Sequence, residues 1–214
     1  MGQNILTAAH RQLLAEISRD RYLTDTFYFT GGTALSLCYL FHRYSEDLDF
    51  FSETPYDAII LESHMRDIFN RLHAKDVEVT MLNGQHTYFV ALGKQRIKID
   101  FAYYPFEHLG AFLKKEGVRV ASLLDIAINK IHAITSRKRG RDYLDLYFIL
   151  QKFGLSVPEL LQQYRLKFDV YLSPIELAKH YAGVLDALDQ PRFLGSIPWK
   201  KVETYFLTEA KKLV

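Results

Sequence analysis

Two aspartates one residue apart, Asp47 and Asp49, sit in the segment RYSEDLDFFS beside Leu48, Phe50 and Phe51. Charge is costly to bury among apolar residues unless something compensates it. In a strand, alternate residues face opposite ways, so Asp47, Asp49 and Phe51 share one side while Leu48 and Phe50 share the other. The two carboxylates are then roughly 6–7 Å apart at the backbone, close enough to converge on one ion. Like charges so placed repel and need a cation, and hard oxygen ligands suit Mg²⁺ completed by phosphate oxygens. A second strand-like segment, RIKIDFAYY, carries Asp100 between Ile99 and Phe101. Three carboxylates on neighbouring strands can hold two metal ions ~3.5–4 Å apart for phosphoryl transfer. The competing reading is a D-x-D pair that merely ends a strand at the surface.

Gly31-Gly32 lies upstream, after a β-like run (Phe27–Thr30) and before a buried helix-like run (Thr33–Phe41). Backbone N–H groups at such a helix start can face a phosphate. The turn has neither the lysine of a Walker A loop nor a G-x-G-x-x-G pattern. Followed by a short helix and a D-x-D strand, it nevertheless forms a stronger signal than either motif alone. Farther along, Lys130 and Arg137 are spaced to share a helix face, as are Asp142 and Asp145, and Arg141 can pair with Asp145 across one turn. Lys130 and the SRKRGR run (Arg137, Lys138, Arg139, Arg141) can supply cations opposite a metal-bound triphosphate. The same residues also read as a solvated helix junction, and RDYLDL as an ion pair on a helix whose Tyr143, Leu144 and Leu146 face the core.

Other chemistries find little support. The single cysteine, Cys38, rules out an internal disulfide and a multi-cysteine zinc site. The eight histidines include no H-E-x-x-H, and His42 and His132 read as partly buried polar residues rather than ligands. G-x-S-x-G is absent. Tyr103 and Tyr104 follow Asp100 closely enough to contact a nucleotide base. A net charge of +2, from 27 basic and 25 acidic residues, argues neither for nor against nucleic acid. The start, MGQNILTAAHRQLL, lacks the long apolar core of a signal peptide, and no stretch approaches the ~20 apolar residues of a membrane span. The expectation is a soluble, cytoplasmic protein.

The elements that must position these residues follow from periodicity. Ile5–Asp20 and Tyr56–Ala74 read as helices, and Asp47–Ser52 as a strand. Val77–Leu82, Thr87–Leu92 and Arg96–Ala102 read as strands joined by turns at Asn83-Gly84 and Gly93-Lys94. Ser122–Ser136 is helical, with Ser122 as N-cap and Asp125 in the acidic position of a capping box. Gly140 breaks the pattern and Arg141–Lys152 resumes it. Three more helical segments follow from Val157 to Val214, punctuated by Pro158, Pro174, Pro191 and Pro198. The expectation is an α/β (α+β) half over residues 1–118 and a helical half over residues 119–214.

GGTAL followed by RYSEDLDFF resembles the nucleotidyltransferase AbiEii/AbiGii toxin family, within the polymerase-beta-type nucleotidyltransferase superfamily. The resemblance runs from about Phe29 to Leu150. It implies a mixed-sheet core with a glycine-rich turn, a helix, a D-x-D strand and a third acid on a later strand, which IKIDF supplies at Asp100. It also implies a helical lysine, matched by Lys130, and an R-D-x-x-D-L element, matched by Arg141, Asp142, Asp145 and Leu146. Many superfamily members have Gly-Ser at the turn, with the serine on phosphate; here Gly32-Thr33 stands there. The implied reaction moves a nucleoside monophosphate from an NTP to an acceptor and releases pyrophosphate. Asp47, Asp49 and Asp100 would bind Mg²⁺ or Mn²⁺, with Asp100 also activating the attacking hydroxyl. Gly31, Gly32, Thr33, Arg43, Ser45, Lys130 and Arg141 would contact the nucleotide, with Asp142 or Asp145 orienting the lysine or the nucleotide. The implied setting is a bacterial toxin with an adjacently encoded antitoxin, acting on RNA, at the tRNA acceptor end. The alternatives are a non-catalytic nucleotide- or partner-binding module, or a transferase acting on protein or a small molecule.

Overall fold

In a computed structural model, alternation between apolar and polar residues is realised as one mixed sheet. The described residues are 5–187, 189, 194 and 198–214. Among them the strands are β1 (Tyr28–Thr30), β2 (Asp47–Ser52), β3 (Lys75–Leu82), β4 (Gln85–Leu92), β5 (Gln95–Tyr103), β6 (Leu113–Lys115) and β7 (Val118–Val120). Their order across the sheet is β3-β4-β5-β2-β1-β7-β6. β2 runs parallel to β5 and antiparallel to β1, while β1 runs parallel to β7.

One face of this sheet is the core of the first compact unit. Phe29, Phe50 and Phe101 fall in register across β1, β2 and β5. Their rings sit 5.3 and 5.1 Å apart and are buried. Helix α4 (Ala58–Arg71) covers this face, with Phe69 against Tyr88 at 5.6 Å. Its start is capped by Asp57, which accepts from the N–H groups of Ile59 and Ile60. Helix α1 (Ala8–Arg19), capped by Thr7, buries Leu13, Leu14 and Ile17. Between α1 and β1 lies α2 (Arg21–Thr26), capped by Asp20. Its brevity hid it from periodicity, as it hid β6 and β7.

The segment after β1 differs from the single helix expected over Thr33–Phe41. A short α-helix, α3 (Gly31–Leu35), gives way to a π-helical turn over Ser36–Leu40, and Phe41 then takes a left-handed φ of 54°.

The first unit comprises the described residues of 1–39 with 45–107 and 111–122; the second comprises 40–44, 108–110 and the described residues of 123–214. The division falls after Ser122 rather than at 118, because β7 pairs with β1 and completes the sheet.

The second unit is helical among its described residues: α5 (Leu123–Ser136), α6 (Gly140–Phe153), α7 (Val157–Phe168), α8 (Pro174–Ala182), a 3₁₀ turn (Gly183–Asp186) and α9 (Trp199–Lys212). Ser156 with Glu159, and Ser173 with Glu176, form capping boxes that start α7 and α8, with Pro158 and Pro174 in the first turns. Pro198 stands at the N-cap of α9, and Pro191 lies outside the described residues. Phe206 anchors the interior, edge-on to Tyr143 at 5.3 Å and to Tyr181 at 5.0 Å. Among the described residues no helix is long and apolar enough to cross a membrane.

Candidate active site

Opposite the aromatic face of the sheet lies an acidic one. β2 is alternately half-buried and buried, with Asp47 and Asp49 on the half-buried side and Leu48 and Phe50 inside. The parallel register sets Asp49 beside Asp100 and Asp47 beside Lys98. In-register neighbours share a face, so three carboxylates and one ammonium make a two-by-two array on β2 and β5. Asp100 is 5% exposed. Thr87 of β4, its neighbour on the other side, donates its hydroxyl to Oδ1 at 2.6 Å, and the Lys98 ammonium bonds Oδ2.

The turn before α3 closes on this array. Gly31 has a φ of +74°, and a β-carbon built on it would lie 2.0 Å from Asp49 Oδ2. Glycine is needed here both for the left-handed backbone and for the approach of the carboxylate. Thr33, expected to present its hydroxyl to a phosphate, is instead fully buried. Its Oγ1 donates to the Asp47 carbonyl and shares a hydrogen bond with Ser45 Oγ at 2.7 Å. That ties the turn to the start of β2 and leaves backbone N–H groups as the turn's means of facing an anion.

The donor set fits a hard divalent cation: carboxylate oxygens on rigid strands, with like charges that a cation would reconcile. The acids do not form a finished cage. Among the described residues no three His, Cys, Asp or Glu side chains converge as metal ligands, and the Asp100 carboxylate is held by Thr87 and Lys98.

The remaining site candidates gather inside the second unit. Lys130 of α5 reaches Asp142 Oδ1 and Asp145 Oδ2 of α6, both at 2.7 Å. Arg43 grips Asp145 with two nitrogens, Nε on Oδ1 at 2.6 Å and Nη2 on Oδ2 at 2.8 Å. Its Nη1 donates to the Tyr44 carbonyl at 3.0 Å. His42 Nε2 lies 2.7 Å from Asp145 Oδ1. Arg137 pairs with Asp142 at 2.8 Å from the cluster's half-exposed edge, and Lys138 pairs with Asp186. Asp142 and Asp145 have no exposed surface, and Lys130 is 7% exposed.

Burial alone would raise the Asp145 carboxyl, but Arg43, Lys130 and hydrogen bonds from Arg43 and His42 hold it well below its ordinary value. Burial likewise opposes ionisation of Asp142, and Lys130 and Arg137 overcome it. Lys130 is raised despite burial because two carboxylates face it. His42 is lowered by burial, against the pull of the Asp145 carboxylate, with Arg43 and Lys130 adding to the lowering. Asp125 anchors a separate contact: its carboxylate accepts the Leu109 and Gly110 N–H groups at 3.1 and 3.0 Å and pairs with Lys167 at 2.6 Å.

The model of the nucleotidyl transferase AbiEii toxin family, described as a type IV toxin–antitoxin system, matches residues 12–197. The chain belongs to this family. Its reaction class is therefore nucleotidyl transfer. An uncharacterized protein of Aquifex aeolicus, aq_aa25, is 30% identical over 199 residues, covering 89% of each chain. Among solved structures, JHP933 from Helicobacter pylori is similar with a TM-score of 0.62 at 20% identity, over 95% of this chain and 88% of that one. MenT4, nucleotidyltransferase toxin Rv2826c from Mycobacterium tuberculosis, is similar with a TM-score of 0.53 at 16% identity, over 95% and 82%. At such identities these likenesses speak for the fold alone.

Reading this AbiEii-family sequence without its fold misses three residues: Thr87, Lys98 and His42 in its bond to Asp145. Lys98 had a signal, since it lies two residues before Asp100 and shares its face in any strand. Thr87 and His42 had none, because their partners are 13 and 103 residues away.

Proposed function

We propose that this nucleotidyltransferase moves a nucleoside monophosphate from an NTP to a hydroxyl of RNA, at the tRNA 3′ end, as a toxin restrained by an adjacently encoded antitoxin. The observation that carries the chemistry is the register of β2 on β5, which sets Asp49 beside Asp100 with Asp47 on the same face. In this reading those three residues hold Mg²⁺ or Mn²⁺. Held there, such a cation would supply positive charge opposite the attacking and leaving oxygens. Asp100 takes the proton of the attacking hydroxyl. The hydroxyl oxygen bonds the α-phosphorus as its bond to the bridging oxygen breaks, and pyrophosphate leaves. Backbone N–H groups at Gly31 and Gly32 face the β- and γ-phosphates. Lys130 and Arg43 supply positive charge to the triphosphate, oriented by Asp142 and Asp145. Arg141 and Ser45 complete the nucleotide contacts.

The toxin role rests on the family description, and the RNA acceptor on the resemblance of the GGTAL and RYSEDLDFF motifs to that family. The test is to incubate the protein with Mg²⁺, each labelled NTP and total cellular RNA and protein. Label in a tRNA-sized band, lost in Asp49→Asn, is the expected result. Label in protein keeps the chemistry and overturns the acceptor; label in neither, with any NTP, overturns both.

A further inference from the structure

One cation on the acidic face belongs to the same strand as one of its acids. Lys98 lies in register with Asp47 and two residues from Asp100, and its ammonium bonds Asp100 Oδ2. The other Asp100 oxygen takes the Thr87 hydroxyl at 2.6 Å. The partnership is sterically natural, because residues i and i+2 of a strand lie side by side on one face. It is also electrostatically natural, because Lys98 sits within a square whose other three corners are carboxylates. The Lys98 side chain is 31% exposed, whereas that of Asp100 is 7% exposed. The ammonium is thus the more exposed partner of the pair.

We propose that Lys98 is a tethered counter-ion of the acidic face, which a divalent cation must displace from Asp100 in order to bind there. Two consequences follow. The ammonium offsets the charge of Asp100 without any bound ion, which eases its repulsion with the neighbouring acids. It also weakens divalent-ion binding, because the ion competes with a partner that is always present. The inference rests on the proposed use of these acids as metal ligands, but its test separates the two.

Mn²⁺ binding to the full chain, without nucleotide, is measured from the free-ion signal in electron paramagnetic resonance. The comparison is wild type against Lys98→Met, Lys98→Gln and Lys98→Arg. Met and Gln remove the charge and should tighten Mn²⁺ binding on the order of 10-fold, the scale of a charge-assisted bond to a mostly buried carboxylate. Arg keeps the charge and should stay near wild type. Thermal scans without metal should place the Met and Gln variants below wild type, with added Mn²⁺ closing the gap; they also verify folding. Equal or weaker Mn²⁺ binding in the Met and Gln variants overturns the counter-ion role and leaves the metal site standing. No Mn²⁺ binding by any of the proteins overturns both.

Discussion

Gly31 and Asp49 are packed so closely that one excludes a side chain on the other: a β-carbon on Gly31 would lie 2.0 Å from Asp49 Oδ2. Gly31→Ala therefore meets both a left-handed backbone and a clash with a carboxylate held on a strand. A loss of about 2–4 kcal/mol is expected, combining the φ penalty with overpacking. Gly93→Ala, also left-handed but with nothing within 4 Å, should lose only about 1 kcal/mol. Urea denaturation of both variants checks this. In an Asp49→Ala background the cost of Gly31→Ala should shrink towards that of Gly93→Ala, and strict additivity would count against the clash.

If Asp47, Asp49 and Asp100 hold a cation, Mn²⁺ with a non-hydrolysable NTP should raise the melting temperature. At about 100 times the dissociation constant the stabilisation is roughly 2.7 kcal/mol. Asp49→Asn keeps the shape, loses a ligating charge, and should lose most of this shift in differential scanning fluorimetry. An undiminished shift in that variant would remove Asp49 from the metal set.

Lys130 is a structural keystone as well as a proposed nucleotide contact. Lys130→Ala takes one cation from two fully buried carboxylates, which keep Arg43 and Arg137 as partners, so the loss should fall at the lower end of the roughly 3–5 kcal/mol that breaking a buried pair costs. Arg137→Ala removes a partner that is 47% exposed and should cost no more than ~1 kcal/mol. Guanidinium melts of the two variants should rank in that order. Transfer by Lys130→Ala has meaning only where its melt shows a folded protein.

The buried cluster also sets a pH dependence. Asp142 and Asp145 are depressed in the folded state, so their stabilisation is full above the unfolded carboxyl value of about 3.9 and lost as pH falls towards their folded values. His42 is depressed as well, and the sign reverses for a base. The unfolded chain takes up a proton near pH 6.5 and the folded chain only at lower pH, so stability declines as pH falls below about 6.5. Lys130 is raised, so its contribution is present below about pH 10.4 and is lost only as pH climbs through its higher folded value. His42→Gln should flatten the difference in stability between pH 7 and pH 5. Parallel wild-type and variant curves in chemical denaturation would show that His42 takes up its proton alike in the folded and unfolded chain.

The sequence by itself determined the strand and the faces of Asp47 and Asp49, the hairpin turns at Asn83-Gly84 and Gly93-Lys94, and the family. These features are written in local alternation, in turn residues and in motif order, all read within a few residues. The resemblance also implied that Asp142 or Asp145 orients Lys130 or the nucleotide, while spacing put Asp142 and Asp145 on one helix face. Tertiary structure alone decided the rest. Asp49 stands beside Asp100 only because β2 and β5 pair in parallel across more than forty intervening residues, a register no local pattern encodes. Thr33 turned inward because the start of β2 offered its hydroxyl a carbonyl, and burial satisfied it there. Arg43 could not be matched to Asp145 from spacing, since 102 residues separate them. Buried charges find partners wherever the packed chain supplies them, because an unpaired one costs too much to keep. That choice is made in three dimensions.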